Sequence, residues 1–350
     1  MTHEFKEIIE AYHVAKQQGI PAVMATVVDV EGSSYRRPGV GMLLLQNGQT
    51  RGAVSGGCVE KEVFRQSISV FKTGKPKIMT YDGKYRLGCE GLLYILIEPF
   101  SINTTTINTI DTYLKKRKPF EIISFYNKIE NHNEGLGSYI KFDKETFTFS
   151  KNVLSDGQSK QFQRELLPCF RLIIIGEEHD ASKLSELANA TGWQVEVVCS
   201  SKSNKQIDDF RGAENIIYQA PEELHVENID DQTAIILMTH NFAKDLLYLQ
   251  ALKDTSPTYI GLLGPARRRE KLLSAFIEYF PDVQDDFLDK IHGPAGLNLG
   301  AETPQEIAIS IIAEILSVIR NQDPISLSNK KGAIHDDRIN KGINIDALNT

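Results

Sequence analysis

The run RGAVSGGCVE at residues 51–60 sets Ser55, Gly56 and Gly57 directly before Cys58. Small residues let the backbone approach a ligand closely. A helix beginning near Cys58 would also turn its unpaired N–H groups and positive dipole end toward that ligand. That combination is an anion cradle. A cysteine at a helix start is shifted toward the thiolate, which is both a better nucleophile and a soft metal ligand. Upstream, GSSYRRPGVGML at 32–43 carries Arg36 and Arg37, and Arg51 opens the second run, so local cationic charge accompanies the cradle. The same residues would equally suit a plain glycine-rich turn with a buried small thiol and arginines that solvate a hairpin. A second cysteine, Cys89 in LGCEG at 87–91, is a further candidate for metal or sulfur chemistry, with a packed strand position as its alternative.

The segment RLIIIGEEHDASKLSELANATGWQVEVVCS has the order strand, turn, helix, strand expected of a dinucleotide fingerprint. Its three glycine positions read Gly176, Glu178 and Ala181, so Glu178 would push a Cβ and a negative charge toward a pyrophosphate. The acid that normally holds the ribose is missing, because the second strand ends in Cys199-Ser200-Ser201. NAD(P) in the standard pose is therefore not expected, and the crevice is left to another nucleotide or to no ligand. His179 follows Gly176 at the carboxyl end of a strand, where open α/β sheets place ligands. Arg267, Arg268 and Arg269 fall in the first turn of a later helix, where cations oppose the dipole. They call for a bound anion or for acids elsewhere in the fold. His240 and His292 are also expected at strand ends, but sequence spacing does not show that they converge on a metal.

These residues need elements to position them. Phe5, Ile8, Ile9 and Tyr12 predict an amphipathic helix over 4–18, followed by strands at 22–28, 42–45 and 50–54. After Gly57 the period becomes 3.6, with Val59, Val63, Phe64, Ile68 and Phe71 predicted on one buried face. Strands follow at 77–81, 92–98, 120–126 and 138–149. The cluster Lys115-Lys116-Arg117-Lys118 reads as a solvated helix face. Polar residues 151–161 are expected to connect an N-terminal α+β domain, 1–165, to a Rossmann-like parallel-sheet domain, 166–320. In the latter, strands (171–175, 194–198, 234–238, 258–262) alternate with helices (181–191, 242–253, 266–280). The last helix is marked by Thr303, Pro304 and Glu306 as cap, first position and capping box, with an apolar stripe of Ile307, Ile311, Ile315 and Ile319. Residues 321–350 read as a polar tail.

Length and composition set the class. The chain has 350 residues, 41% hydrophobic and 24% charged, which is ordinary for a globular α/β protein of two domains. With 39 Lys and Arg against 46 Asp and Glu the formal charge is −7, so a general nucleic-acid or acidic-membrane binder is not expected. No apolar run reaches the ~20 residues of a membrane span. The acidic, amphipathic opening does not resemble a signal, so a cytoplasmic protein is expected. Four scattered cysteines with no CxxC pair argue against a zinc ribbon or disulfide framework.

GSSYRRPG, GAVSGGCVE and LGCEG, followed by THNFAKD at 239–245, YIGLLGPARRREKL at 259–272 and IHGPAGLNLGAETPQEIAISIIAEI at 291–315, resemble the xanthine dehydrogenase accessory factor family of the XdhC/CoxI type. The matches keep the family's order over most of residues 20–320. Two positions depart from its pattern: Glu90 replaces a glycine, and the Gly-x-Gly-His turn keeps Gly176 and His179 without its middle glycine. The resemblance implies a chaperone that binds the molybdenum cofactor, protects it during sulfuration and delivers it to apo xanthine dehydrogenase or a related molybdenum hydroxylase. A cysteine desulfurase is implied as a further partner, and a homodimer would enlarge the protected cavity. Under that implication Cys58 touches the metal or its sulfur, and Ser55 to Gly57 hold the phosphate. Arg36 and Arg37 supply counter-charge, while Cys89, Gly176, His179 and Arg267 are further cofactor contacts. The competing class is an NAD(P)-dependent oxidoreductase using the second domain, with His179 or His240 as acid/base.

Overall fold

A computed structural model describes residues 2–32, 37–83, 91–129, 135–150 and 159–330. The chain divides into two units, one of residues up to Pro168 and one of Cys169–Lys330. In the first, α1 (Thr2–Gln17) leads into β1 (Ala22–Glu31), β2 (Gly41–Leu45) and β3 (Thr50–Gly52). Helix α2 (Cys58–Thr73) is followed by β4 (Lys77–Asp82), β5 (Leu92–Phe100) and α3 (Thr104–Lys115). The unit closes with β6 (Phe120–Tyr126), β7 (Gly137–Lys141), β8 (Thr146–Thr148) and β9 (Lys160–Leu166). Two antiparallel sheets result, one in the order β3-β2-β1-β5-β4 and one in the order β8-β7-β6-β9.

Strand alternation explains how this unit is layered. Val23, Ala25 and Val27 point to one face of β1, where they pack with Ile95 and Ile97 of β5 and with Val59, Val63 and Val70 of α2. Ala22 and Met24 point to the other face, into a core shared with α1, α3, Phe120 and Ile140. Helix α2 buries Val59, Val63, Ser67 and Val70, whereas Phe64 and Ile68 are 38% and 45% exposed. The buried stripe is therefore rotated away from the predicted one. Ser67 occupies the core position because its hydroxyl donates to the Phe64 carbonyl at 2.7 Å, which removes its need for water.

A second correction concerns residues 151–161. Lys160–Leu166 form β9, which pairs antiparallel with β6 from Phe120↔Leu166 to Tyr126↔Lys160, so the inter-unit passage is the short stretch 167–170. The strand was hidden because its inward residues are Phe162, Arg164 and Leu166. The arginine interrupts the apolar alternation.

The second unit runs β10 (Arg171–Ile175), α4 (His179–Ala190), β11 (Gln194–Cys199), β12 (Asn215–Tyr218), β13 (Thr233–Leu237) and α5 (Phe242–Ala251). It continues with β14 (Tyr259–Leu262), α6 (Ala266–Tyr279), α7 (Asp285–Leu288), β15 (Ile291–His292) and α8 (Pro304–Arg320). Its sheet is parallel throughout, in the order β12-β11-β10-β13-β14-β15, the doubly wound arrangement expected from the alternating elements. Helix α8 starts as predicted. The Thr303 hydroxyl accepts from Glu306 N–H at 3.3 Å, and Glu306 accepts from Thr303 N–H at 2.9 Å. Ile311 and Ile315 are buried, with Ile307 and Ile319 packed beside them. No helix among the described residues is long and apolar enough to cross a membrane.

Candidate functional site

Strand registers bring the sequence motifs of the first unit to one place. Thr26 pairs with Gly41 and Glu31 with Leu92, so the β1–β2 connection and the start of β5 share one end of the sheet. Met42 pairs with Gly52, which puts the exit of β3, and hence Ser55 to Cys58, at the same end. Asp82 pairs with Leu92, and Gly83 N–H donates to the Gly91 carbonyl at 3.0 Å, so the β4–β5 connection also opens there. The three connections that carry Arg36 and Arg37, Ser55 to Cys58, and Cys89 therefore leave from a common rim. Arg36 and Cys89 lie outside the described residues, and Arg37 stands half-buried just before β2. The rim is braced at β1: Tyr126 Oη donates to Asp29 at 2.9 Å, and Lys128 pairs with Asp29 at 2.9 Å and also with Glu31.

At the start of α2, Gly57 is the N-cap with φ 120°, a backbone state that only glycine adopts without strain, and Cys58 is the first helical residue. A Cβ at Gly56 or Gly57 would meet nothing within 4 Å, so the surface over both glycines is open. The N–H groups of Ser55, Gly56 and Gly57 are all engaged within the chain. Glu60 accepts from Ser55 N–H through Oε1 and from Gly57 N–H through Oε2, each at 2.6 Å. Gly56 N–H is turned onto Ser55 Oγ at 2.5 Å. The loop thus binds an oxyanion, and that oxyanion is the chain's own carboxylate. Glu60 was missed in the sequence, although an acid three residues beyond the cap is the position from which a capping-box side chain reaches back.

In the second unit the strand order reverses between β10 and β13, so the crevice at their carboxyl ends is the place where such sheets bind ligands. Gly176 has φ 152°, and a Cβ there would stand 2.5 Å from the Met238 carbonyl oxygen; the turn after β10 is pressed against the end of β13. Glu178 caps α4 by position only, without a side-chain bond, and both it and His179 are exposed. His240 holds a left-handed φ of 54°, with Nε2 4.0 Å from Asp180 of α4. A pyrophosphate at the α4 N-terminus would therefore stand among Glu177, Glu178 and Asp180, which repel it. Cys199 is fully buried at the end of β11. Burial, and then the neighbouring Glu177 carboxylate, push its thiol up to about 12, so it is neither a ribose acceptor nor a ready nucleophile.

The remaining candidates separate. Arg268 donates to Asp245 at 2.7 Å, and this nearly buried carboxylate also accepts from Thr239 Oγ1 at 2.6 Å. Arg269 reaches only toward the Ile291 carbonyl, at 3.5 Å, while Arg267 is exposed. The acid that answers the arginine run is thus Asp245, 23 residues upstream. His292 stacks on Tyr259 at 4.4 Å, with Nδ1 3.7 Å from Glu314. His292 lies on β15 at the sheet edge and His240 after β13. No group of three or more His, Cys, Asp or Glu side chains suited to a metal occurs among the described residues.

Two family models match the chain: the XdhC and CoxI family over residues 15–82 and the XdhC Rossmann domain over residues 172–315. A probable xanthine dehydrogenase subunit from Bacillus subtilis is 28% identical over 325 residues, covering 84% of this chain and 92% of the relative. The molybdenum cofactor insertion chaperone PaoD of Escherichia coli is 24% identical over 92% of this chain and 91% of its own length. The crystal structure of a xanthine dehydrogenase from Bacillus halodurans shares the fold with a TM-score of 0.74 at 27% identity, covering 91% of this chain and 97% of that one.

Proposed function

Because this chain belongs to the XdhC and CoxI family, we propose that it is a molybdenum cofactor chaperone. In this reading it shelters the cofactor while a terminal sulfur is installed and passes it to apo xanthine dehydrogenase or a related hydroxylase. A cysteine desulfurase is the sulfur-supplying partner, and the working form is a homodimer in the cytoplasm. The observation that carries the reading is the common rim of the five-stranded sheet, where Cys58 opens α2 beside a loop that already holds a carboxylate on two N–H groups. The fit to a phosphorylated, metal-bearing ligand is chemical: the surface over Gly56 and Gly57 is open, the donors suit an oxyanion, and a helix-start thiolate suits a soft metal.

When bound, the cofactor supplies the metal centre and its sulfur chemistry. The chain's own part is to hold and cover it. Cys58 is the soft ligand, Ser55 to Gly57 take the phosphate in place of Glu60, and Arg36 and Arg37 balance the negative charge. Cys89 serves as a second sulfur contact. Gly176, His179 and Arg267 stay candidate contacts for a ligand of the second unit. Three carboxylates at the α4 start weigh against the alternative of an NAD(P)-dependent oxidoreductase.

The test is to purify the full chain from a molybdenum-replete host, oxidise it and assay the fluorescent pterin product, with Cys58→Ala in parallel. Pterin that accompanies the wild type and is largely lost from Cys58→Ala is the expected outcome. Its absence from both samples overturns the reading.

A further inference from the structure

Arg164 of β9 points inward among apolar side chains. Its Nη1 donates to the Gly39 carbonyl, and a Cβ on Gly39 would stand 2.7 Å from Arg164 Cδ, so guanidinium and loop are in close contact. Its Nε and Nη2 are closed to solvent and have no acceptor among the described residues. These two N–H groups form the side-on edge of the guanidinium, the edge that receives both oxygens of one carboxylate or phosphate. Burial pulls the arginine's pKa down to about 10, and the field of Glu4 on α1 offsets this only in part. A buried cation whose paired donors meet nothing is costly, and native structures rarely keep one without a use.

Arg164 also lines a pocket of about 430 Å³, counted with the open solvent at its mouth. Met24 and Thr26 of β1, Gly41, Phe149 and Phe162 form walls, and Glu4 stands among its lining residues. The walls are mostly apolar and offer few competing donors, so an anion entering there finds Arg164 as its cationic partner.

We propose that Arg164 is the floor of an oxyanion site in the first unit, which takes a phosphate or carboxylate group through Nε and Nη2. The site is distinct from the Ser55–Gly57 loop, and the proposal stands whether or not the cofactor reading holds. Its occupant is either a free small oxyanion or the phosphate end of a larger ligand. Glu4 opposes either one, so the chain sets its own threshold for anion entry.

The test titrates the full chain with inorganic phosphate at constant ionic strength, with chloride as control, following heat of binding and unfolding temperature. Wild type is expected to bind phosphate and gain thermal stability where chloride gives none. Arg164→Lys keeps the charge without the side-on edge and should weaken binding about tenfold. Glu4→Gln removes the opposing carboxylate and should tighten it about two- to fivefold, an effect that a purely structural arginine would not produce. Should Arg164→Lys fail to fold, Glu4→Gln carries the test alone. No phosphate effect on wild type, or equal affinity in wild type, Arg164→Lys and Glu4→Gln, overturns the proposal. In protein purified with bound pterin, blocked phosphate binding assigns the site to that ligand's phosphate, and unchanged binding assigns it to a free oxyanion.

Discussion

Glu98 of β5 and Ser138 of β7 join the two sheets of the first unit. The Ser138 N–H donates to Glu98 Oε2 at 2.8 Å and its hydroxyl to Oε1 at 2.6 Å, with Ser124 Oγ 2.7 Å beyond. The carboxyl is wholly enclosed, and burial outweighs both bonds, raising its pKa to about 7. The folded state therefore holds this proton more tightly than the unfolded chain does. The stabilisation is fully present below the ordinary carboxylate pKa and is lost as pH rises from about 4.5 to about 7, by roughly 3 kcal/mol at 1.36 kcal/mol per unit. Glu98→Gln should remove that part of the pH dependence and melt higher than wild type at pH 8. Thermal melts from pH 5 to 8 check this, and equal slopes in the two proteins would count against it.

Glu60 caps α2 and blocks the cradle at once. Glu60→Gln should cost about 1–2 kcal/mol in urea unfolding, through loss of charge-assisted bonds to Ser55 and Gly57 N–H. If the loop accepts a ligand phosphate, added phosphate should restore part of that loss in the variant. Urea midpoints with and without phosphate measure both effects.

Thiol labelling separates the cysteines. Cys199, buried and shifted to about 12, should label only on unfolding, whereas Cys58 at the first position of α2 should react fastest at pH 7.5. The expected result is that Cys58→Ser abolishes the fast phase while Cys199→Ser leaves it intact. A fast phase that survives Cys58→Ser would deny this thiol its activated state.

Asp245 anchors the Thr239–Asn241 turn to α6 from a position only 2% exposed. Asp245→Ala leaves Arg268 without its partner and should destabilise the second unit by about 3–5 kcal/mol. Adding Arg268→Met should recover a good part of that loss. Denaturant melts of the single and double variants give the coupling between the two residues, and purely additive effects would contradict the pairing.

What could be read in advance followed local periodicity. Thr303, Pro304 and Glu306 announced α8, and the alternation after residue 171 specified a parallel sheet, because these signals lie within one turn or one strand. Phe64 and Ile68 misled, since an apolar residue at helical spacing does not reveal which face is covered when Ser67 can satisfy itself within the helix. Arg164 and Glu98 were silent because their partners, Gly39 and Ser138, lie 125 and 40 residues away. The convergence of three connections on one rim was equally unreadable. It depends on pairing register, and a motif in a linear sequence carries no register.

Strand β9 has a consequence for how the chain is made. Until Leu166 has left the ribosome, β6 keeps an unpaired edge, with Phe120 and Ile122 lacking the neighbour that completes their sheet. An expression fragment ending near residue 150 would carry that sticky border into the cell and invite self-association, whereas one ending at Pro168 would end the sheet on β9, along which the polar Lys160, Gln161, Gln163 and Glu165 are exposed.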